Sequence, residues 1–375
     1  MANNTARLGD LATYINGYAF KPADWGDTGL PIIRIQDLTG NSYQLNRYDG
    51  EYPERIEVND GDVLISWSAS LGVYVWHRGK ALLNQHIFKV VFDKLPVNKD
   101  YFVFAVEHKL AEMESKTHGA TMKHIVKKDF DGTTIPYPPI EKQAEIADHL
   151  RHITSLIDRQ TEQLLLLDQL VKSRFIELFG EPQRNPHGYK QTKLSDIATY
   201  YNGLTYKPEN VAAEGTIVLR SSNIQNSQLD FADTVRVDCA IKGRLMVQEN
   251  DILMCSRNGS AKLVRKVALI KNIQEPMSFG AFMMIIRSRY FGYLMTYFQM
   301  DAFRQQIKTG ATTTINQITG RMLDDVTIPL PTMALVDRFT AFVEQTDKSK
   351  YYKSIQILKL ITEAIAKEVS HDRIR

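Results

Sequence analysis

Lysine, arginine and histidine gather in two stretches that contain no acidic residue. From Lys116 to Lys128 there are four lysines and two histidines, and from Arg257 to Lys271 five basic residues. Such runs neutralise phosphates, while neighbouring amides, hydroxyls and guanidinium groups match the donors and acceptors on base edges. The competing reading is a pair of solvated faces. A net charge of +3 and a pI near 8.6 do not choose between the two. Candidate readers lie in polar loops beside apolar strands. In the first half these are Arg34, Gln36, Trp67, Ser68, Ser70, Asn84, Gln85, His86, Thr121, Lys123, His124 and Lys127. In the second half they are Arg220, Ser222, Asn223, Ser256, Arg257, Asn258, Lys262, Arg265, Thr312, Thr313, Thr314, Asn316, Gln317 and Arg321. Arg257-Asn258 is the sharpest pair, since Arg suits guanine and Asn suits adenine in the major groove. An Arg-Asn-Gly turn also has a purely structural reading, and Trp67 suits either stacking on a base or covering the core.

Catalytic constellations are absent from the sequence. A phosphate-binding G-x-x-x-x-G-K-[ST] loop fails because Gly79-Lys80 is followed by Ala81, with Tyr74 at the first Gly position. Neither G-x-G-x-x-G nor G-x-S-x-G occurs. Amino-methyltransferases hold a flipped base with an (N/D/S)-P-P-(Y/F) tetrad. Here Pro136-Tyr137-Pro138-Pro139 puts Tyr at the polar position and Ile140 at the aromatic one, and Pro329-Leu330-Pro331 returns later. Both read as stiff leads into helices. His149 and His152 stand three apart on a helix without neighbouring ligands, and Cys239 and Cys255 fit neither a disulfide framework nor a zinc site. We therefore expect no catalytic, cofactor or metal site in this chain.

The elements that position these residues come in two copies. LGDLATYINGYAFKP (8–22) returns as LSDIATYYNGLTYKP (194–208), identical at nine of fifteen positions. VNDGDVLISWSASLG (58–72) is echoed by VQENDILMCSRNGS (247–260), and GATMKHIVKKDFDGTTIPYPP (119–139) by GATTTINQITGRMLDDVTIPLP (310–331). Alternating runs predict strands over Pro31–Leu38, Asp62–Ser66 and Ile87–Phe92, with counterparts over Ile217–Arg220, Asp251–Cys255 and Phe282–Arg287. Helices are expected over Tyr101–Thr117 and Phe291–Thr309, each stopped by a Gly-Ala-Thr. After Pro139, the residues Ile146, Leu150, Ile153, Ile157, Leu164, Leu167, Val171 and Leu178 follow a 3–4 spacing close to a heptad seam. A helix of about 40 residues runs roughly 60 Å and needs a partner beside it. Val336, Phe339, Val343, Ile355, Leu358, Ile365 and Val369 supply a similar stripe.

The expected architecture is mixed α/β: two globular domains with mixed sheets, at 1–138 and 191–331. They are joined and separated by two long antiparallel helices forming a coiled coil, at 139–179 and 332–375, in an internal pseudo-twofold repeat. Residues 180–190, rich in Pro and Gly, form the linker. Nothing at the N-terminus resembles a signal peptide and no run approaches ~18 apolar residues, so the expected location is cytoplasmic.

This ordered duplication resembles the specificity subunits of type I restriction–modification systems. The resemblance rests on L-x-D-x-A-T-Y-x-N-G (8–17 and 194–203), G-D or N-D-V/I-L (61–64 and 250–253) and G-A-T (119–121 and 310–312). It extends to I-P-Y-P-P-I-E-K-Q (135–143), the weaker I-P-L-P-T (328–332) and Asn-Pro-x-Gly-Tyr at 185–189. The second helix start, PTMALVDRF, departs from the pattern by lacking the Glu-x-Gln seen at 141–143. The resemblance implies two target recognition domains, each reading half of a split, asymmetric sequence in double-stranded DNA. It implies a helical spacer on which two methyltransferase subunits and restriction subunits assemble, with S-adenosylmethionine, ATP and magnesium held by those partners. Two alternatives stay open: a methyltransferase or nuclease with degraded motifs, and a coiled-coil scaffold that touches only proteins.

Overall fold

The computed structural model describes residues 5–40, 45–116, 126–307 and 316–373. Its contacts fall into two compact units, Met1–Arg159 with Ile357–Arg375, and Gln160–Gln356. Each unit contains one mixed α/β module and parts of two long helices.

In the first module, strand Thr5–Arg7 pairs antiparallel with Thr134–Pro136 and brings the ends of the module together. Between them lies an antiparallel sheet in the order Thr13–Asn16, Ile87–Val91, Val63–Ser66, Gly72–Val75. A second sheet runs Arg47–Tyr48, Leu30–Ile33, Ala81–Leu83, Glu57–Val58, and its middle pair is parallel. The central strand Val63–Ser66 is buried on both faces. Val63 and Ile65 pack with the helix Lys99–Lys116 through Phe102 and Val106, whereas Leu64 packs with Ile32, Leu82 and Ile87. Period-two alternation between two apolar layers explains why this strand reads as an unbroken apolar run.

The second module repeats this plan. Gln191–Lys193 pairs with Thr327–Pro329, and the antiparallel sheet runs Thr199–Asn202, Met283–Arg287, Ile252–Cys255, Val267–Leu269. Its partner sheet runs Val211–Ala212, Arg236–Val237, Thr216–Leu219, Met277–Phe279, again with one parallel pair. The Asn-Gly of each repeat has a steric purpose. A Cβ on Gly17 would lie 2.0 Å from the Asn84 carbonyl oxygen, and one on Gly203 would lie 2.1 Å from that of Gly280.

Two expected elements are corrected by the structure. The strand expected over Pro31–Leu38 stops at Ile33, and Ile35–Leu38 forms a helical turn. There the Asp37 carboxylate accepts the Arg34 backbone N–H at 2.8 Å, so a short acid captures the chain before the ladder continues. The helix expected over Phe291–Thr309 is broken into Phe291–Tyr297 and Asp301–Gln306. Phe298 and Phe303 are both buried, with ring centroids 4.8 Å apart. On a continuous helix, residues five apart would diverge by roughly 140°, so the break lets both rings reach one core. The Gly-Ala-Thr segments lie outside the described residues.

The long helices span Ile140–Phe179 and Met333–Arg373. All eight seam residues of the first are half-buried, while Leu165, Leu166 and Leu170 between them are exposed. Within the second unit the helices pair antiparallel. Lys353 donates to Gln163, Lys350 lies 2.7 Å from Asp168, and Phe339 packs 5.6 Å from Phe175. The missing Glu-x-Gln of the second helix start also has an explanation. Gln143 is buried, accepts the Asn98 N–H at 2.9 Å and donates to the Pro138 carbonyl at 2.8 Å. Val336, one module later, is equally buried but enters an apolar cluster with Phe175, Phe179 and Phe339. Among the described residues no helix is long and apolar enough to cross a membrane.

Candidate nucleic-acid interface

Strand pairing fixes which loop positions correspond between the modules. Ser66 lies opposite Ile87, and Cys255 opposite Met283. The residues next to these pairs, Trp67 with His86 and Ser256–Arg257 with Phe282, therefore occupy one place in the frame.

In the second module Phe282 organises that place. Its carbonyl oxygen accepts the N–H groups of Ser256 and Arg257, at 3.0 and 3.1 Å, and the Ser256 hydroxyl at 3.0 Å. Arg257 and Asn258 form a short antiparallel bridge with Gln317 and Asn316. The Arg257 guanidinium lies 5.4 Å from the centre of the Phe282 ring, which is 58% exposed. A cation on an aromatic face, held by a pinned backbone, is a preformed planar donor. The Asn258 side-chain amide oxygen accepts the Ser260 N–H at 2.9 Å, which fixes the turn. Gln317 and Arg321 are exposed nearby in sequence, Arg321 on a helical turn capped by Thr319.

In the first module the same place is aromatic. Trp67 stacks on Phe88 with centroids 5.5 Å apart, and His86 meets its edge at 5.0 Å. Lys127 sits 5.5 Å from the Phe88 and Tyr14 rings and 3.1 Å from Asp131. The structure thus brings Trp67, His86 and Lys127 together, and half-buried Trp67 covers the core. Ser66 donates to the Ser70 and Ser68 carbonyls and curls the loop around Ala69, whose φ is 59°. His86 adopts φ 72°, a left-handed conformation that bulky residues rarely take. Asn84 is half-buried and accepts the Gln85 N–H, while Gln85 is exposed.

Arg34 and Arg220 stand at equivalent corners. The Arg220 N–H donates to the Asn223 side-chain amide oxygen at 2.8 Å, as the Arg34 N–H does to the Asp37 carboxylate. Arg34 lies 5.7 Å from the Trp25 ring, Gln36 is exposed beside it, and Arg220 forms a 2.7 Å ion pair with Asp233. Ser222 is half-buried. Two expected readers have their side chains committed to the fold. Asn223 is buried and donates to the Asp230 and Asp233 carbonyls, both at 2.8 Å, and buried Ser256 bonds Phe282. Lys262 and Arg265 face a cleft whose lining does not include Arg257 or Asn258. Thr121, Lys123, His124 and Thr312 to Thr314 lie outside the described residues.

Sequence reading missed three exposed aromatics beside these polar groups: Tyr18, Trp25 and Phe282. Phe282 was legible from register, because it falls at the position of His86. Burial pushes the Cys255 thiol up, which disfavours the nucleophilic thiolate. His149 and His152 are exposed, and among the described residues no three His, Cys, Asp or Glu are grouped to hold a metal.

Residues 3–167 match the model of the type I restriction modification DNA specificity domain. The chain is 25% identical over 279 residues to the type I restriction enzyme EcoBI specificity subunit of Escherichia coli, covering 66% of this chain and 58% of that protein. It is 24% identical to the MjaVIII specificity subunit of Methanocaldococcus jannaschii, covering 72% and 67%. These alignments therefore span a little over half and about two thirds of those relatives. The fold is similar to the crystal structure of a type I restriction–modification S subunit from M. genitalium, with TM-score 0.56 and 13% identity over 97% of this chain and 94% of that one. Residues 3–167 thus match a type I restriction–modification DNA specificity domain, and the duplicated frame shares the fold of a solved S subunit.

Proposed function

We propose that this chain is the non-catalytic DNA-reading subunit of a type I restriction–modification complex, with modules 1–138 and 191–331 each recognising one half of a split target. One observation carries the reading: a shared frame holds different chemistry at the same place, Trp67 and His86 in one module and Arg257 and Phe282 in the other. Two different tips predict two different half-sites and hence a non-palindromic target. Arg257, Asn258, Gln317 and Arg321 are the proposed contacts of the second half-site. Arg34, Gln36, Ser68, Ser70, Asn84, Gln85, His86 and Lys127 are those of the first, and Arg220 and Ser222 keep a secondary place. Mean discrimination of about 1–3 kcal/mol per base pair over a few pairs makes a selective site, and linking two weak contacts multiplies their strength.

The paired helices act as spacer and docking surface. Leu165, Leu166, Leu170, Tyr351 and Tyr352 are exposed there, which suits methyltransferase and restriction subunits that bring S-adenosylmethionine, ATP and magnesium. Co-expression with these partners and genome-wide mapping of methylated positions tests the reading. A split motif with a fixed gap is expected, and inserting four residues after Leu164 should change that gap. Methyl-donor binding by the lone chain would instead favour an enzyme, and DNA retention insensitive to salt would remove the phosphate contacts.

A further inference from the structure

The two modules differ in the length of one hairpin. Ser66 and Gly72 bracket five residues, whereas Cys255 and Val267 bracket eleven. The longer hairpin carries Lys262 and Arg265 into a cleft of about 370 Å³. Lys172 of the first long helix, Lys266 and Arg304 also line it, together with the turn at Ser227. Five cations from three elements, the long helix, the hairpin and the helix Asp301–Gln306, thus converge, and no carboxylate lines the cleft. Among the described residues Lys172, Lys262 and Arg265 form no ion pair. Arg304 has only exposed Asp301, at 3.2 Å, and Lys266 donates to the Ile224 carbonyl at 3.2 Å.

Arg265 is the centre of this arrangement. Its backbone is held at φ 78°, and its N–H donates to the Cys255 carbonyl at 2.9 Å. Burial, and then the charge of Arg304, lower its pKa. Arginine keeps its proton even so, so repulsion among these groups is relieved by a bound anion. A guanidinium fork beside lysines and a hydroxyl is matched to phosphoryl oxygens. The volume fits a phosphate with part of its ester, but not a helical segment, which is about 10–12 Å across.

We propose that this cleft is a phosphate-binding site which takes a backbone phosphodiester of the DNA beside the half-site read by the second module. The assignment rests on the DNA-reading function. Its chemistry is shared with small phosphate anions, and the test separates the two sources. The assembled complex is titrated with duplex target over a range of salt, and the full chain with inorganic pyrophosphate by calorimetry. The variants are Arg265→Gln, the exposed pair Lys262→Gln with Arg304→Gln, and exposed Lys172→Gln, which keeps the test open should Arg265→Gln misfold.

For a DNA phosphate, the paired variant should bind every sequence about tenfold more weakly. Its slope of log affinity against log salt should be shallower by about 0.9 for each lost contact. Pyrophosphate bound by the wild type and lost in the variants, with an unchanged DNA slope, supports a phosphate cleft but overturns the DNA source. An unchanged slope with no pyrophosphate binding overturns the proposal. So does binding of an acidic peptide in place of pyrophosphate. Arg257→Ala, measured in parallel, still shifts the methylated motif if only the cleft assignment fails, and leaves it unchanged if DNA reading itself fails.

Discussion

The two modules agree where the backbone is crowded and differ at their hairpin tips and in how the long helices are anchored. Gly17 and Gly203 press against neighbouring carbonyls, and the Arg34–Asp37 and Arg220–Asn223 corners form the same N–H to side-chain bond. By contrast, the hairpin tips carry an edge-on Trp–His pair in one copy and an Arg over Phe in the other. The attachment of the long helices differs too, through a buried glutamine in one and an aromatic cluster in the other. A duplicated frame thus keeps the crowded backbone positions and varies both the hairpin tips and the buried helix anchors.

The largest expected effect tests the helix anchors. Phe339→Ala removes a ring packed 5.6 Å from Phe175 and 5.3 Å from Phe179, and should destabilise by about 3–5 kcal/mol in urea unfolding. Gln143→Ala leaves the half-buried Asn98 N–H without its acceptor, for about 1–3 kcal/mol. Equal losses in the two variants would erase the difference drawn between the anchors. Gly17→Ala and Gly203→Ala should each cost about 1–3 kcal/mol through backbone displacement, and a large effect in only one would break the shared frame.

Smaller effects separate the tips. Arg257→Ala should relax one half of the methylated motif, by about 1–3 kcal/mol of discrimination, while stability stays within about 0.5 kcal/mol. Lys127→Ala removes an exposed ion pair with Asp131 and the cation's contacts with the Tyr14 and Phe88 rings, and should shift stability by about 1–2 kcal/mol. It should weaken DNA binding for all sequences alike. A change of motif in the Lys127 variant would make it a reader rather than a phosphate contact.

The repeat, the central strands and the long helices were legible in the sequence because each is a local pattern of apolar residues. The seam from Ile146 to Leu178 is half-buried along its length, as the 3–4 spacing requires. Asp37 lay inside an apparent strand, and only its bond to Arg34 shows why the ladder stops. Side-chain type was a poor guide to which loop residues face outward. Asn223 and Ser256 are polar yet buried because backbone groups claim them, while apolar Phe282 stands exposed.

From the sequence alone came the duplication, the two modules and the helical pairs, since periodicity and repetition are properties of the chain itself. Tertiary structure alone decided which polar groups remain available. It also brought Lys172, Ser227, Arg265 and Arg304 around one cleft. Those four lie far apart in sequence, and only strand register, a longer hairpin and a broken helix make them neighbours.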